Sequence, residues 1–145
     1  MKCAESKVVE QEVPEASVGV IQIPGGLLGF EDVKEYVLRR NRQETPFMWL
    51  HMAEAPKCSF LVVEPSQVTD TYQPEIGDAE VEELGLTRPE DAWMLNIVTL
   101  HRDGHATVNL KGPILINRRT LVAKQVVPLN AAQYSLHHPW RLAAA

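Results

Sequence analysis

The chain has 145 residues and a mass of 16.3 kDa, and its 45% hydrophobic and 23% charged residues are typical of one globular domain rather than of a disordered chain. No apolar run approaches the roughly 18 residues that a membrane-spanning helix needs. The net charge of −5 is uneven, because residues 1–100 carry 8 Lys/Arg and 18 Asp/Glu whereas residues 101–145 carry 6 Lys/Arg and one Asp.

This acidic balance argues against general nucleic-acid binding, since neutralisation of phosphates dominates that affinity. The charge is either ordinary solvated surface or a field that steers a basic partner. The acidic N-terminal segment has no apolar run, so we expect no signal peptide there. Cys3 and Cys58 are the only cysteines, and neither stands in a metal-binding spacing. Two unpaired cysteines fit a reducing cytoplasm better than a disulfide scaffold, so we expect a cytoplasmic protein.

Short apolar runs rich in Val, Ile and aromatic residues, bounded by Gly, Pro, Asn or Asp, predict strands along most of the chain. The predicted strands are Val18–Ile23, Phe47–Met52, Phe60–Val63, Trp93–Leu100, Thr107–Leu110, Ile114–Ile116 and Leu121–Val127. The continuous run Phe60–Val63 predicts a strand that is covered on both faces. Asp103-Gly104 predicts a hairpin with a two-residue turn, and Gly112-Pro113 predicts a bend between two strands.

Helices are predicted to be few and short. The predicted helical segments are Ala79–Leu84, capped by Asp78 and ended by Gly85, a turn opened by a capping box at Thr87–Glu90, and a helix that begins at Glu31-Asp32 and buries Val33, Tyr36 and Val37. The pattern as a whole predicts one mostly β domain, a small barrel or sandwich with a few short helices. We assign it to residues 18–139, after an N-terminal segment 1–17 and before a tail 140–145.

No group of residues predicts catalysis, which needs a nucleophile, a base and a stabilising group that converge. Cys58 beside an apolar strand is typical of core filling. A two-residue turn would pair His105 with Arg102 rather than with His101, and no third ligand is near, so we predict no metal site, no cofactor and no enzyme activity. The glycines of residues 25–29 lack the lysine and hydroxyl of a phosphate loop and predict a tight turn with positive φ angles.

Residues 75–91 form a dense negative band, with seven acidic side chains and the single base Arg88. The acids are Glu75, Asp78, Glu80, Glu82, Glu83, Glu90 and Asp91. Such a band is either the solvated face of a helix or a surface that raises the rate of encounter with a cationic partner.

Motifs along residues 18–139 resemble those of a known family. Ile23–Glu31 resembles the "FPxGLLGFE" signature of the FliW family of flagellar assembly factors, and Ala106–Asn117 resembles its "ATxNLxxPIxIN" segment. The other matching segments are Phe47–His51, Phe60–Pro65, Glu83–Leu86, Pro89–Asp91, Ile97–Thr99, Lys124–Val127 and Tyr134–Pro139. Two positions depart from the pattern, because Ile23 replaces an aromatic residue and His51 replaces a glutamine. Within these motifs Gly25, Gly26, Gly29, Asn109, Pro113 and Asn117 are expected to serve turns and strand ends.

This resemblance implies a β-rich cytoplasmic protein without catalysis. Proteins of the family bind the translational regulator CsrA and prevent it from repressing flagellin mRNA. They also bind flagellin, so that free flagellin releases CsrA and flagellin synthesis is coupled to export and assembly. The expected partners are therefore CsrA and flagellin, with no nucleic acid and no membrane, and the protein is expected to be monomeric.

Two groups of residues are candidate contacts with these partners. Leu27, Leu28 and Phe30 are either core residues or part of an apolar groove for the amphipathic helices of flagellin. Charge complementarity to the basic regulator selects five acids, which are Glu80, Glu82, Glu83, Glu90 and Asp91. The alternative function is a small-ligand-binding β-barrel in which Trp49, Tyr72 and Trp93 line a cavity.

Overall fold

The structure is a computed structural model that describes residues 15–41 and 46–141. Within these residues there are nine strands, one α-helix and three 3-10 turns. The strands are β1 (Glu15–Gln22), β2 (Glu35–Asn41), β3 (Met48–Met52), β4 (Ala55–Val63), β5 (Ala92–Leu100), β6 (Ala106–Val108), β7 (Ile114–Asn117), β8 (Ala123–Gln125) and β9 (His138–Trp140). Helix α1 (Asp78–Glu83) lies between β4 and β5, and the 3-10 turns are Pro65–Gln67, Pro89–Asp91 and Ala131–Gln133. No helix in these two ranges has the length and apolar character to cross a bilayer.

Strand β5 organises the sheet because its two halves pair with different neighbours. Its C-terminal half pairs with β4 and β6, whereas its N-terminal half pairs with β7. Strands β1 to β4 form an antiparallel meander, and β9 and β8 extend the two branches. Gln22 of β1 forms a bridge with Val122, and its backbone N–H donates to the carbonyl oxygen of Leu121 at 2.9 Å. The result is a strongly curled, incomplete barrel, which confirms the predicted mostly β fold with a few short helices.

Hydrophobic side chains pack on both faces of this sheet. The main core lies inside the curl and draws on seven strands, with Ile21, Leu38, Leu50, Val62, Leu95, Ile116 and Ala123 among its members. A second cluster on the other face contains Leu61, Val63, Val98 and Val108, with Tyr72, Tyr134 and Trp140 packed against it. Since successive side chains of a strand point to opposite faces, the run in β4 is buried on both sides, as predicted.

Strand β2 contradicts the prediction of a helix that begins at Glu31-Asp32. Val33, Tyr36 and Val37 have a spacing that a helix would place on one face. In the structure Tyr36 and Leu38 are buried whereas Val37 between them is partly exposed, which is the alternation of a strand. Antiparallel pairing with β1 and β3 on its two sides fixes this conformation. Strand β9, which pairs with β6, was also not predicted.

The β5–β6 hairpin has a three-residue loop, so the predicted two-residue turn is wrong. The backbone N–H of His101 donates to the carbonyl oxygen of His105 at 2.9 Å, which pairs these two residues across the hairpin. Residues 102–104 form the loop, and Gly104 adopts a φ of 95°, in the left-handed region that favours glycine. The prediction that His105 pairs with Arg102 is therefore also wrong.

The predicted bend at Gly112-Pro113 is confirmed, because β6 ends at Val108 and β7 begins at Ile114. Asn109 builds this turn, since its Oδ1 accepts hydrogen bonds from the backbone N–H groups of Lys111 and Gly112, both at 2.9 Å. This contact confirms the expected structural role of Asn109.

Helix α1 begins one residue earlier than predicted, with Gly77 rather than Asp78 at its N-cap, and Gly85 follows it with a φ of 66°. The turn at Pro89–Asp91 is present, but no side chain caps it, so the capping box is wrong.

Candidate protein-interaction surface

Helix α1 presents the acidic segment on the outside of the barrel. Six residues are too few for a helix that is stable alone, so its packing on the sheet holds it in place. Leu84, directly after the helix, is buried with Leu115 of β7 and with Val126. The side chains of five acids in this segment are exposed to solvent, and we call them the acidic face: Glu75, Asp78, Glu82, Glu83 and Glu90.

Cations of the chain itself neutralise part of this charge. Nζ of Lys124 in β8 lies 2.8 Å from Oε1 of Glu83 and 3.8 Å from Oε2 of Glu80. The hydrogen bond to Glu83 is the main cause that raises the pKa of Lys124. Nε of Arg88 lies 3.7 Å from the carboxylate of Glu90. Glu82 has no ion pair with the described residues, so it is the predicted contact that keeps its full charge for a partner.

Asp91 does not belong to the predicted contact surface, because it is buried. Its Oδ2 accepts a hydrogen bond from Nε of Arg119 at 2.9 Å, and its carbonyl oxygen accepts one from the backbone N–H of Arg118 at 2.8 Å. Asp91 therefore ties the start of β5 to the loop after β7, which is a structural role.

Asn117 anchors the chain after α1 in a similar way. Its Nδ2 donates to the carbonyl oxygen of Leu84 at 2.8 Å, and its Oδ1 accepts from the backbone N–H of Arg119 at 2.8 Å. This buried amide confirms the expectation that Asn117 serves a strand end.

A shallow apolar groove lies beside α1, and the sequence analysis missed it. Its volume is about 320 Å³. Ile76, Val81 and Leu86 line it from the helix and its flanks, and Ala92 and Met94 line it from β5. Leu115, Thr87, Arg88 and Pro89 complete the lining. The apolar residues that alternate with acids in residues 75–91 were the available signal for this groove.

The three apolar candidates of the glycine-rich turn separate into core and surface. Leu27 is buried in the main core, and Phe30 packs edge-on against Phe60 with ring centroids 5.2 Å apart. Leu27 therefore acts in folding, whereas Phe30 packs against the core and stays partly exposed. Leu28 is 65% exposed, and its backbone N–H donates to Oε1 of Gln125 at 2.8 Å. Leu28 is the most exposed of the three candidates.

The predicted tight turn is present at these glycines. Gly26 and Gly29 have φ angles of 70° and 88°. The backbone N–H of Gly29 donates to Oε2 of Glu31 at 3.1 Å, and this bond is the main cause that lowers the pKa of Glu31.

Two further apolar side chains are exposed near α1 and β8. Val127 is 63% exposed and Leu129 is 74% exposed, in the chain that follows β8. The backbone N–H of Leu129 donates to the carbonyl oxygen of Glu75 at 2.7 Å, which places this residue beside the acidic face.

The histidines of the β5–β6 hairpin approach each other more closely than predicted. The rings of His101 and His105 stack with centroids 4.3 Å apart. Nε2 of His101 hydrogen-bonds with Oγ1 of Thr107 at 2.9 Å, and Nδ1 of His105 hydrogen-bonds with the carboxylate of Asp103. Within the described ranges, no three His, Cys, Asp or Glu side chains come together as metal ligands.

Cys58 packs against the main core, as expected for core filling. It is disulfide-bonded, so the expectation that it is unpaired is wrong, and the cysteines no longer argue for a reducing compartment. The expectation for Cys3 concerns a residue outside the described ranges.

The aromatic residues of the alternative function do not share a cavity. Trp49 and Tyr72 pack in the second cluster, and the hydroxyl of Tyr72 donates to the carbonyl oxygen of Leu110 at 2.6 Å. Trp93 lies in the main core, and its Nε1 donates to Oε2 of Glu64 at 2.7 Å. Among the described residues, Trp93 is therefore in a different cluster from Trp49 and Tyr72, so the three do not line one cavity together.

The fold and this surface together define a small, curled-sheet β protein with an acidic face beside an apolar groove. The FliW protein family profile matches residues 2–140. A flagellar assembly factor FliW of Natranaerobius thermophilus is 36% identical over 141 residues, which are 96% of this chain and 91% of that protein. One of Geobacter sulfurreducens is 34% identical over 141 residues, which are 97% of this chain and 86% of that protein.

The crystal structure of a flagellar assembly factor FliW is similar at a TM-score of 0.74 and 28% identity, and the match covers 87% of this chain and 86% of that one. The chain belongs to the FliW family of flagellar assembly factors.

Proposed function

We propose that the protein is a non-catalytic flagellar assembly factor that binds the translational regulator CsrA and flagellin. Bound to CsrA, it prevents repression of flagellin mRNA. Free flagellin competes for the protein, directly or through its conformation, and so releases CsrA. The protein acts as a monomer in the cytoplasm and binds neither nucleic acid nor membrane. Membership of the FliW family supports this role, and the acidic face is the observation that supports a basic partner.

The acidic face favours a cationic protein and disfavours RNA. At physiological ionic strength the Debye length is about 8 Å, so charges at the contact itself dominate the interaction. Among the predicted contacts, Glu82 is exposed and has no ion pair with the described residues, whereas Lys124 already engages Glu80 and Glu83. A regulator that binds RNA through basic residues is complementary to such a surface. By linkage, if this protein weakens the binding of RNA to CsrA, RNA must weaken the binding of this protein to CsrA by the same factor.

Flagellin requires a different kind of contact, because its amphipathic helices present apolar side chains. Leu28, Val127 and Leu129 are exposed apolar residues at the side of the barrel formed by β8 and the glycine-rich turn. We assign flagellin to this side of the molecule. The assignment gives flagellin an apolar contact and the regulator a charged one, and the two contacts adjoin at Leu129, which lies beside the acidic face.

The test compares charge reversals in the kinetics of binding to purified CsrA, measured by biolayer interferometry at low and at moderate salt. Glu82→Lys should slow association by about three- to tenfold at low salt, with a smaller effect at higher salt. Glu54→Lys is the matched control, because Glu54 is exposed in the β3–β4 turn, outside the acidic face, and carries the same charge change. Reversal of Glu80 or Glu83 is less informative, because the new cation would repel Lys124.

Two results would contradict the proposal. One is the absence of any binding between the unchanged protein and CsrA. The other is an equal effect of the Glu82 and Glu54 variants, which would show that total charge matters and that the acidic face does not.

A further inference from the structure

The apolar groove beside α1 is surface that the fold itself leaves unfilled. Leu84, Leu115 and Val126 are buried beneath the helix and account for its attachment to the sheet. Val81 and Met94, which line the groove, remain partly exposed. An aliphatic side chain placed here would remove apolar area from water at about 25 cal/mol per Å².

Acidic residues stand next to the groove along the chain. Glu75 precedes Ile76, Glu82 follows Val81, and Glu90 follows Pro89 in the lining. The one cation of the lining, Arg88, lies 3.7 Å from the carboxylate of Glu90 and 3.8 Å from that of Asp91. The lining is therefore mostly apolar, and exposed acids adjoin it in the sequence, so the local charge disfavours an anionic segment.

The size of the groove limits what it can hold. Its 320 Å³ lies at the lower end of the volumes found for small-molecule pockets. It accommodates one or two side chains and is too small for the apolar face of an amphipathic helix of several turns. The fitting occupant is a short segment in which an apolar side chain stands next to lysine or arginine.

We propose that the groove receives such an apolar anchor from the basic regulator, so that the acidic face and the groove act together on one partner. This inference rests on the proposed function, because the occupant belongs to the partner named there. The two features have different kinetic effects. Charges at the rim of an interface mainly set the association rate, whereas a buried apolar anchor mainly sets the dissociation rate.

The experiment measures both rate constants for binding to purified CsrA with variants inside the groove. Ala92→Leu adds three carbon atoms where Ala92 lines the groove, and Met94→Gln keeps the side-chain length but places an amide there. Each variant should raise the dissociation rate at least about tenfold and leave the association rate within about twofold, because a central apolar anchor contributes roughly 1.4 kcal/mol or more. The effect should not depend on salt.

Leu100→Gln is the matched control for an exposed apolar side chain. Leu100 is 56% exposed and stands six residues beyond Met94 on β5, roughly 20 Å away along the strand. It should leave both rate constants unchanged. Circular dichroism and thermal unfolding of each variant show whether the fold is retained, and Met94→Gln decides the outcome if Ala92→Leu does not fold.

The possible outcomes separate the two proposals. If the unchanged protein does not bind CsrA, the proposed function fails and this inference fails with it. If it binds but folded groove variants dissociate at the original rate, the inference is overturned and the proposed function stands. If the groove variants instead weaken the binding of purified flagellin alone, the occupant is the wrong one and the inference is also overturned.

Discussion

Replacement of Tyr36 by phenylalanine should stabilise the protein, although it removes a hydroxyl group, which normally forms a hydrogen bond when it is buried. Tyr36 is fully buried in the main core, and its hydroxyl has no hydrogen-bond partner among the described residues. A buried hydroxyl without a partner costs about 1–3 kcal/mol of desolvation. Tyr36→Phe keeps the ring and its contact with Phe60, whose centroid is 6.4 Å away. The free energy of unfolding should therefore rise by about 1–3 kcal/mol, and Tm by roughly 3 °C per kcal/mol.

The same substitution should change the response to alkaline pH. Burial raises the pKa of Tyr36 from 10.0 to about 12. Because the folded pKa lies above the unfolded one, the unfolded state releases the phenol proton first, so the protein loses stability as the pH rises from 10 to about 12. The stability advantage of Tyr36→Phe over the unchanged protein should therefore grow between pH 10 and pH 12.

Urea unfolding followed by tryptophan fluorescence, at neutral pH and at several alkaline values, measures both effects. Tyr72→Phe is the control of opposite sign, because the Tyr72 hydroxyl donates to the carbonyl oxygen of Leu110 at 2.6 Å. Its loss should destabilise the protein by about 1–2 kcal/mol. A decrease of 1 kcal/mol or more in the free energy of unfolding of Tyr36→Phe at neutral pH would contradict this prediction, whatever the m-value.

Two further substitutions test the turns that position the surface. Gly26→Ala should lower the free energy of unfolding by at least about 2 kcal/mol, because φ is 70° and an added Cβ would lie 2.5 Å from Cα of Glu31. Gly25→Ala is the control, since nothing lies within 4 Å of its added Cβ, and it should change the free energy by no more than about 0.5 kcal/mol; equal effects of the two variants in thermal unfolding would contradict this expectation. Asn117→Ala should cost about 2–3 kcal/mol in urea unfolding, since it leaves the carbonyl oxygen of Leu84 buried without its donor, and an effect below about 0.5 kcal/mol would count against that role.

The sequence predicted strands where side chains alternate or run continuously between turn residues, and it failed where local spacing was ambiguous. The short continuous run that ends β4 predicted a strand, and both of its faces are covered as expected. Residues 33–37 fit a helix and a strand equally well, and only pairing with β1 and β3 decides between them. In the β5–β6 hairpin, Asp103-Gly104 located the turn, but loop length depends on the backbone pairing of His101 with His105.

The surface was predictable in charge but not in burial. The acidic segment was visible in the sequence, and α1 exposes most of it. The burial of Asp91 depends on Arg119, which lies 28 positions along the chain and reaches it only through the fold. Leu27 and Leu28 are neighbours of the same type, but Leu27 is buried in the core whereas Leu28, in the turn that follows, is exposed to solvent. Eight of the nine residues that line the groove lie between Ile76 and Met94, but only the fold shows that their side chains meet around one groove with Leu115.

The most direct test of the central claim is the release of a fluorescent flagellin-leader RNA from purified CsrA, followed by anisotropy. Addition of the protein should lower the anisotropy to that of free RNA, and later addition of flagellin should restore the bound value. The protein alone should leave the anisotropy of the RNA unchanged. An undiminished signal at saturating protein, or a signal that rises with the protein alone, would contradict the account.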